Sequence, residues 1–84
     1  MNTTAMFPFP VGTRLRRLTT VNRTACAEGK RLVVRIVGTD PKGSVTGRPE
    51  YLLESENGSH IGERWSLCAD DVRDLVKNKV WEVI

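Results

Sequence analysis

The dipeptide Asn57-Gly58 separates two stretches in which apolar and polar residues alternate. Asn-Gly is the preferred pair for a two-residue type I′ turn, because both central positions need a positive φ. Residues 50–56 alternate with a period of two, and residues 60–67 place Ile61 and Trp65 on one face. The pattern predicts a β-hairpin with one side of each strand turned toward a core.

The clearest single strand is predicted at residues 31–39, where Leu32, Val34 and Ile36 share one face. β-branched residues dominate this stretch, and such residues pack well on a pleated surface. Residues 40–49, rich in Gly, Pro and Ser, are predicted to form a mobile loop between this strand and the hairpin.

A first strand is predicted at residues 12–21, although its apolar residues do not alternate strictly. Leu15 and Leu18 are three positions apart. A β-bulge near Arg16 and Arg17 would turn both leucines inward, because one extra residue resets the pleat.

The period of two is broken at residues 69–78. Asp70 or Asp71 is expected to cap a short helix. Residues 80–84 are predicted to form a last, apolar strand. The inner side of the helix is expected to carry Val72, Leu75 and Val76. This order predicts a mostly β fold, a five-stranded SH3-like barrel with a short helical turn before the last strand.

Eighty-four residues make one domain, which we predict to be a barrel over residues 11–84. Residues 1–10 contain two X-Pro steps and are predicted to form a flexible, extended N-terminal arm. Phe7 and Phe9 in this arm are expected to pack over one end of the barrel or to reach a partner subunit.

We expect a cytoplasmic protein. No apolar run approaches the roughly 20 residues that cross a membrane, and residues 1–10 lack the pattern of a secretory signal. Cys26 and Cys68 are most simply reduced thiols, with one disulfide as the alternative. One histidine and two separated cysteines predict no metal site.

Charge is divided unevenly along the chain. The net charge of +3 comes from a basic first half and an acidic second half. Cross-strand alternation would gather guanidiniums on one outer surface, where they could neutralise nucleic-acid phosphates. The alternative is that Glu50, Glu54 and Glu56 lie opposite them and form cross-strand pairs. The predicted macromolecule-binding residues are Arg14, Arg16, Arg31, Arg35 and Trp65.

No pattern in the sequence indicates catalysis or a cofactor. His60 follows the predicted turn, where solvated polar residues are common, and no cysteine has a histidine partner nearby in sequence. Glycine-rich phosphate-binding motifs do not occur. We therefore expect a protein that is not an enzyme.

Three segments resemble the plasmid-borne type II dihydrofolate reductases, within a likeness that extends from Gly12 to Leu67. The resemblance implies an SH3-like barrel, and members of that family form a tetramer around one pore. The family's Val-Gln-Ile-Tyr signature corresponds here to residues 60–63, His-Ile-Gly-Glu, which lack the glutamine and tyrosine. Arg17 stands near the family's pore lysine. The segments are Gly12-Thr13-Arg14-Leu15-Arg16, Ile36-Val37-Gly38 and Tyr51-Leu52-Leu53-Glu54-Ser55-Glu56.

Three functional hypotheses follow. The first is a non-enzymatic interaction module that binds a macromolecular partner, as small phage or bacterial accessory and inhibitor proteins do. The second is a nucleic-acid-binding protein that uses the arginine-rich face. The third, which rests on the resemblance, is an NADPH-dependent reductase. Monomeric and small homo-oligomeric states are both compatible with the sequence.

Overall fold

A computed structural model describes residues 6–19, 31–44 and 46–84. Within these ranges the protein is mostly β, with five strands and a short helix, as predicted. In chain order the elements are β1 (Arg14–Arg17), β2 (Val33–Asp40), β3 (Glu50–Ser55), β4 (Arg64–Cys68), α1 (Ala69–Lys77) and β5 (Trp81–Val83).

The five strands form one antiparallel sheet in the order β4-β3-β2-β1-β5. β4 and β5 are therefore the two edges, and no pairing between them closes the sheet within the described residues. Helix α1 connects these two edge strands along the chain and contacts both of them.

The core lies on one face of the sheet and is formed by alternate residues of each strand. Val34 and Ile36 of β2 are buried, and so are Tyr51 and Leu53 of β3, which confirms the predicted inner faces. The same cluster includes Leu15, Ala69, Val72 and Trp81, and the half-buried Leu32, Trp65, Leu67, Leu75, Val76 and Val80 pack against it.

The bulge predicted near Arg16 and Arg17 lies just after these residues. β1 itself keeps a regular register with both neighbours. Beyond its end, the N–H groups of Leu18 and Thr19 both donate to the carbonyl of Val80, at 2.7 and 3.3 Å. Two residues opposite one is the arrangement of a β-bulge. A separate register shift lies between β2 and β3, at Ile36 and Gly38. The predicted strand residues 20 and 21 lie outside the described ranges.

The type I′ turn predicted at Asn57-Gly58 is wrong. Gly58 has a φ of 79°, but Asn57 does not have a positive φ. Instead, the Asn57 side chain bonds the chain at the start of β2. Its Oδ1 accepts the N–H of Val33, and its Nδ2 donates to the carbonyl of Arg31, each at 2.9 Å. The amide side chain thus extends the β2–β3 pairing past the end of β3.

The connection between β3 and β4 is longer than a two-residue turn. Glu54 pairs with Arg64 in register, and Gly62 donates its N–H to the carbonyl of Ser55 at 2.8 Å. Ile61 therefore lies in the turn with 67% of its surface exposed, rather than inward on a strand as predicted. Trp65 does face inward, opposite Leu53.

The described loop residues, 41–44 and 46–49, are fastened to the start of β3 by a buried carboxylate. Glu50 is only 2% exposed, and it accepts the N–H of Thr46 at 2.7 Å. Gly43 lies directly against this carboxylate, where it has no room for a Cβ atom. Arg48 extends from the same loop to Asp70 at 3.1 Å, which joins the loop to α1.

Helix α1 begins without the predicted aspartate cap. Cys68 is the N-cap residue and makes no side-chain capping bond, while Asp70 and Asp71 lie inside the first turn. Carboxylates in the first turn still favour the helix, because they face the positive end of its dipole. The predicted inner side is confirmed, since Val72 is fully buried and Leu75 and Val76 pack against the core.

The described part of the N-terminal arm packs on the core, which was one of its two predicted positions. The N–H of Phe9 donates to the hydroxyl of Tyr51 at 2.8 Å. The ring of Phe7 meets the Tyr51 ring edge-on at a centroid distance of 5.3 Å. Burial raises the pKa of Tyr51, and the bond from Phe9 opposes that rise.

Two further observations concern the described residues alone. They contain no helix with the length and apolar character that crossing a membrane requires. The thiol of Cys68 is free and buried, whereas Cys26 lies outside the described ranges.

Candidate interaction surface

The side of the sheet away from the core carries a lattice of charged residues, which we call the outer face. Successive strand residues point to opposite sides, so each strand with a buried residue inward places its neighbours outward. This alternation places four arginines and three glutamates on the outer face, which gives that face a net charge of +1. They are Arg14, Arg16, Arg35, Arg64, Glu54, Glu56 and Glu82.

Glu54 lies at the centre of a row of charges that crosses the sheet. In register it has Arg35 of β2 on one side and Arg64 of β4 on the other. The Nη2 of Arg35 and the Nε of Arg64 each lie 3.1 Å from a different Glu54 oxygen. The Glu54 side chain is 20% exposed, whereas these arginines are 46% and 57% exposed. The carboxylate therefore lies low on the sheet, and the guanidiniums reach into solvent.

A second carboxylate relieves a repulsion between two arginines. Arg14 of β1 and Arg35 of β2 lie directly opposite each other, and like charges in that position destabilise a sheet. Glu56 reaches both, at 2.7 Å from the Nε of Arg14 and 3.9 Å from the Nε of Arg35. At the β5 edge, the Nε of Arg16 donates to Glu82 at 2.7 Å. Three of the predicted arginines are therefore committed to ion pairs.

The charged neighbours lower the pKa of Glu54. The largest cause is the hydrogen bond from Arg64, and the charges of Arg64 and Arg35 act in the same direction against partial desolvation. Glu54 thus stays ionised across the physiological range and holds both guanidiniums in place.

Two shallow grooves flank the row of charges. The first has a volume of about 500 Å³ and lies beside Arg14, Glu54 and Glu56, with Val33 and Ile61 as its aliphatic walls. The second has a volume of about 380 Å³ and lies beside Arg35 and Arg64. Its aliphatic residues include Val37 and the 57% exposed Val11. Each groove therefore combines an exposed aliphatic side chain with charges of the row.

The structure does not bring all the predicted binding residues together. Arg14, Arg16 and Arg35 share the outer face, but Trp65 packs against the core on the opposite side. The carbonyl of Arg31 accepts a bond from Asn57 just before β2 begins. The binding role of the predicted residues stays a prediction. Of the three glutamates expected to pair with the arginines, Glu54 and Glu56 do so. Glu50 is instead buried, and it bonds Thr46 of the preceding loop.

Two residues of this surface, Arg64 and Ile61, were not predicted from the sequence. Arg64 could have been found, because the inward prediction for Trp65 places its neighbour outward by alternation. Ile61 could not, because its exposure depends on a turn longer than the Asn-Gly pair suggests. The described residues contain no group of three or more side chains suited to holding a metal ion.

Comparison with known proteins gives no relative from which a function could be carried over. No protein-family model, curated protein or solved structure matches this chain.

Proposed function

We propose that this protein is a small, non-enzymatic, cytoplasmic interaction module of the SH3-like barrel class, and that its outer face binds a protein partner. The strand order supports the barrel class, because an SH3-like barrel also places its last strand beside the first and a helical turn before it. Contact of α1 with both edge strands is consistent with a helix that fills the opening of such a barrel.

The observation that carries the function is a compensated row of charges between two grooves with exposed aliphatic residues. Ile61 is 67% exposed on a turn next to Glu54 and Glu56. Protein interfaces combine apolar anchors with a polar rim, and complementary charges fix the register of the partner. Exposed aliphatic side chains gain free energy when a partner removes them from water.

Nucleic-acid binding is the competing hypothesis, and the ion pairs argue against it. Each phosphate contact needs a cation that can neutralise it, but Arg14, Arg16 and Arg35 already face carboxylates. A phosphate that displaced Glu54 or Glu56 would leave that carboxylate among other negative charges. The exposed tips of the arginines keep some donors free, so this hypothesis is tested alongside the first.

The test captures proteins from nuclease-treated cell lysate on the immobilised chain and on two variants. Ile61→Asp places a charge in the first groove, whereas Val83→Asp makes the same change at a residue that is 50% exposed on β5. We expect a partner that wild type and Val83→Asp retain and Ile61→Asp loses. Circular dichroism establishes that both variants are folded.

Two results would overturn the proposal. One is equal capture of every partner by Ile61→Asp and wild type. The other is tight binding of labelled DNA or RNA whose affinity falls steeply with salt and is lost in Arg35→Glu, which would establish the nucleic-acid hypothesis instead.

A further inference from the structure

A small pocket lies away from the outer face, where β1, β5 and the end of α1 meet. It has a volume of about 160 Å³ and is lined by Arg17, Thr19, Leu75, Val80 and Trp81. Arg17 is paired in register with Trp81, the inward-facing residue of β5. Arg17 therefore points to the opposite side of the sheet from Arg16.

Backbone hydrogen bonds hold the walls of this pocket together. The carbonyl of Val80 accepts the N–H groups of Leu18 at 2.7 Å and Thr19 at 3.3 Å. The N–H of Val80 donates to the carbonyl of Leu75 at 3.0 Å, which ties the end of α1 to the start of β5. The pocket is thus shaped before any ligand enters, and this lowers the entropic cost of binding.

Two polar groups at this pocket have no partner among the described residues. The hydroxyl oxygen of Thr19 is buried and makes no hydrogen bond. The guanidinium of Arg17 takes part in none of the ion pairs or side-chain hydrogen bonds of the described ranges, unlike Arg14, Arg16 and Arg35. Buried polar groups are nearly always hydrogen-bonded, so the unpaired Thr19 hydroxyl, at a pocket that Arg17 also lines, indicates a missing acceptor.

We propose that this pocket binds the carboxylate of an apolar ligand. Guanidinium recognises a carboxylate through two parallel hydrogen bonds, and a hydroxyl donates to the same kind of acceptor. The apolar part of the ligand lies against Leu75, Val80 and the indole of Trp81. A dry apolar cavity of about 150 Å³ holds a benzene ring, so the pocket accepts a group such as a phenyl ring or a branched four-carbon chain.

Such a carboxylate has two sources, a free organic acid and the C-terminus of a polypeptide that ends in an apolar residue. Both present the same two features, a terminal carboxylate and an adjacent apolar group. This proposal does not depend on the function assigned to the outer face, because no residue is shared between the two sites.

The test follows the indole N–H signal of Trp81 by nuclear magnetic resonance during ligand titrations of the full chain. A Trp65→Phe variant assigns the two indole signals. The ligands are isovalerate and benzoate, their neutral amides, and a short peptide ending in leucine as the free acid and as the amide. We expect saturable shifts with the acids, and at least about tenfold weaker binding of the amides, the equivalent of about 1.4 kcal/mol.

The two sources are distinguished by the affinities. Tighter binding of the peptide acid than of isovalerate assigns the site to polypeptide C-termini, and the reverse order assigns it to free acids. If no acid shifts the Trp81 signal, or if amides bind as tightly as acids, the proposal is wrong. These ligand comparisons need no variant of the pocket, so they decide the matter even where a substitution disturbs folding.

Substitutions separate a binding role from a purely structural one. Arg17→Gln should weaken binding by about tenfold or more, because it removes a charge-assisted bond, while Arg14→Gln on the outer face should leave binding unchanged. Thr19→Val should weaken binding several-fold yet raise the unfolding temperature, since a buried unpaired hydroxyl is replaced by a methyl group of similar shape. Unchanged affinity in both Arg17→Gln and Thr19→Val would contradict the proposal.

Discussion

Arg35 on β2 and Glu54 on β3 are direct cross-strand partners, with the Arg35 Nη2 3.1 Å from a Glu54 oxygen. On the other side of Glu54, the Nε of Arg64 lies at the same distance of 3.1 Å. Three glutamates lie among four arginines on the outer face, so this face carries a net charge of only +1. Such a face suits a protein partner with mixed charges better than a uniformly negative polymer.

The pH response of Glu54 tests this arrangement. Its folded-state pKa is lowered from the ordinary value of 4.5, so the folded state holds that proton more weakly than the unfolded state does. The stabilising contribution is therefore complete above the ordinary value and is lost as pH falls through the lower, folded-state pKa. In Arg64→Gln we expect the pKa of the Glu54 carboxyl, followed by carbon-13 resonance, to move back up toward its ordinary value.

Arg73→Gln is the matched control for that titration. Arg73 lies on α1 and pairs with Asp70 and Asp74, so its loss should leave the pKa of Glu54 where it is in the wild type. An identical Glu54 titration in Arg64→Gln and wild type would mean that the pair at 3.1 Å is not formed in solution.

Gly43 is predicted to be intolerant of any side chain. A Cβ atom there would lie 1.9 Å from the Cδ of Glu50, so the buried carboxylate would have to leave its bond with Thr46. We expect Gly43→Ala to lower the free energy of unfolding by about 1–3 kcal/mol, the cost of a buried polar group losing its partner. Urea denaturation measures this loss.

Gly38→Ala is the control, because a Cβ atom there meets Leu52 only at an ordinary contact distance of 3.6 Å. Its effect should be much smaller than that of Gly43→Ala. Combining Gly43→Ala with Glu50→Ala should cost less than the sum of the two, since both act through one contact. Strictly additive losses would show that Gly43 matters for another reason.

The hydrogen bonds from Asn57 to the start of β2 predict that substituting this turn residue lowers the free energy of unfolding. Asn57→Ala removes the acceptor for Val33 N–H and the donor to Arg31 carbonyl. We expect a loss of about 1–3 kcal/mol and faster hydrogen exchange at the Val33 amide. Asn78→Ala, at an exposed residue after α1, serves as the control. Unchanged exchange at Val33 in the Asn57 variant would refute these hydrogen bonds.

The hydroxyl of Tyr51 is predicted to fasten the N-terminal arm. Tyr51→Phe keeps the ring contacts but removes the acceptor for the N–H of Phe9, which lies 2.8 Å away. A net loss of about 0.5–1.5 kcal/mol is expected, typical of one hydrogen bond, together with faster exchange at Phe9. If exchange at Phe9 is the same in both proteins, the arm is held by its aromatic rings alone.

Period-two alternation was sufficient to predict β2 and β3, because burial on one side of a sheet leaves that pattern directly in the sequence. The inward residues of β2 and β3 were therefore identified, and the outward direction of Arg14, Arg16 and Arg35 was inferred with them. Whether these arginines were free or paired could not be read from the sequence, since it depends on which strand lies beside which.

The errors fall where one side chain or one loop overrides a local rule. Asn57 uses its amide to bond β2, so the Asn-Gly pair does not form the two-residue turn that its composition favours. The turn is therefore longer than two residues, and Ile61 in it is exposed. Glu50 follows the outward alternation of β3, but the loop carrying Thr46 folds over it. Neither the Asn57 bonds to β2 nor the loop that covers Glu50 produces a periodic pattern in the sequence.

The most direct test of the central claim is photo-crosslinking from defined positions of the chain. A photoreactive amino acid replaces Ile61 on the outer-face groove or Asp71 on the exposed side of α1, and each protein is irradiated in nuclease-treated cell lysate. We predict a discrete protein adduct from position 61 that is absent from position 71 and is suppressed by Arg64→Glu. Adducts of equal yield from both positions, or none from position 61, would contradict the account.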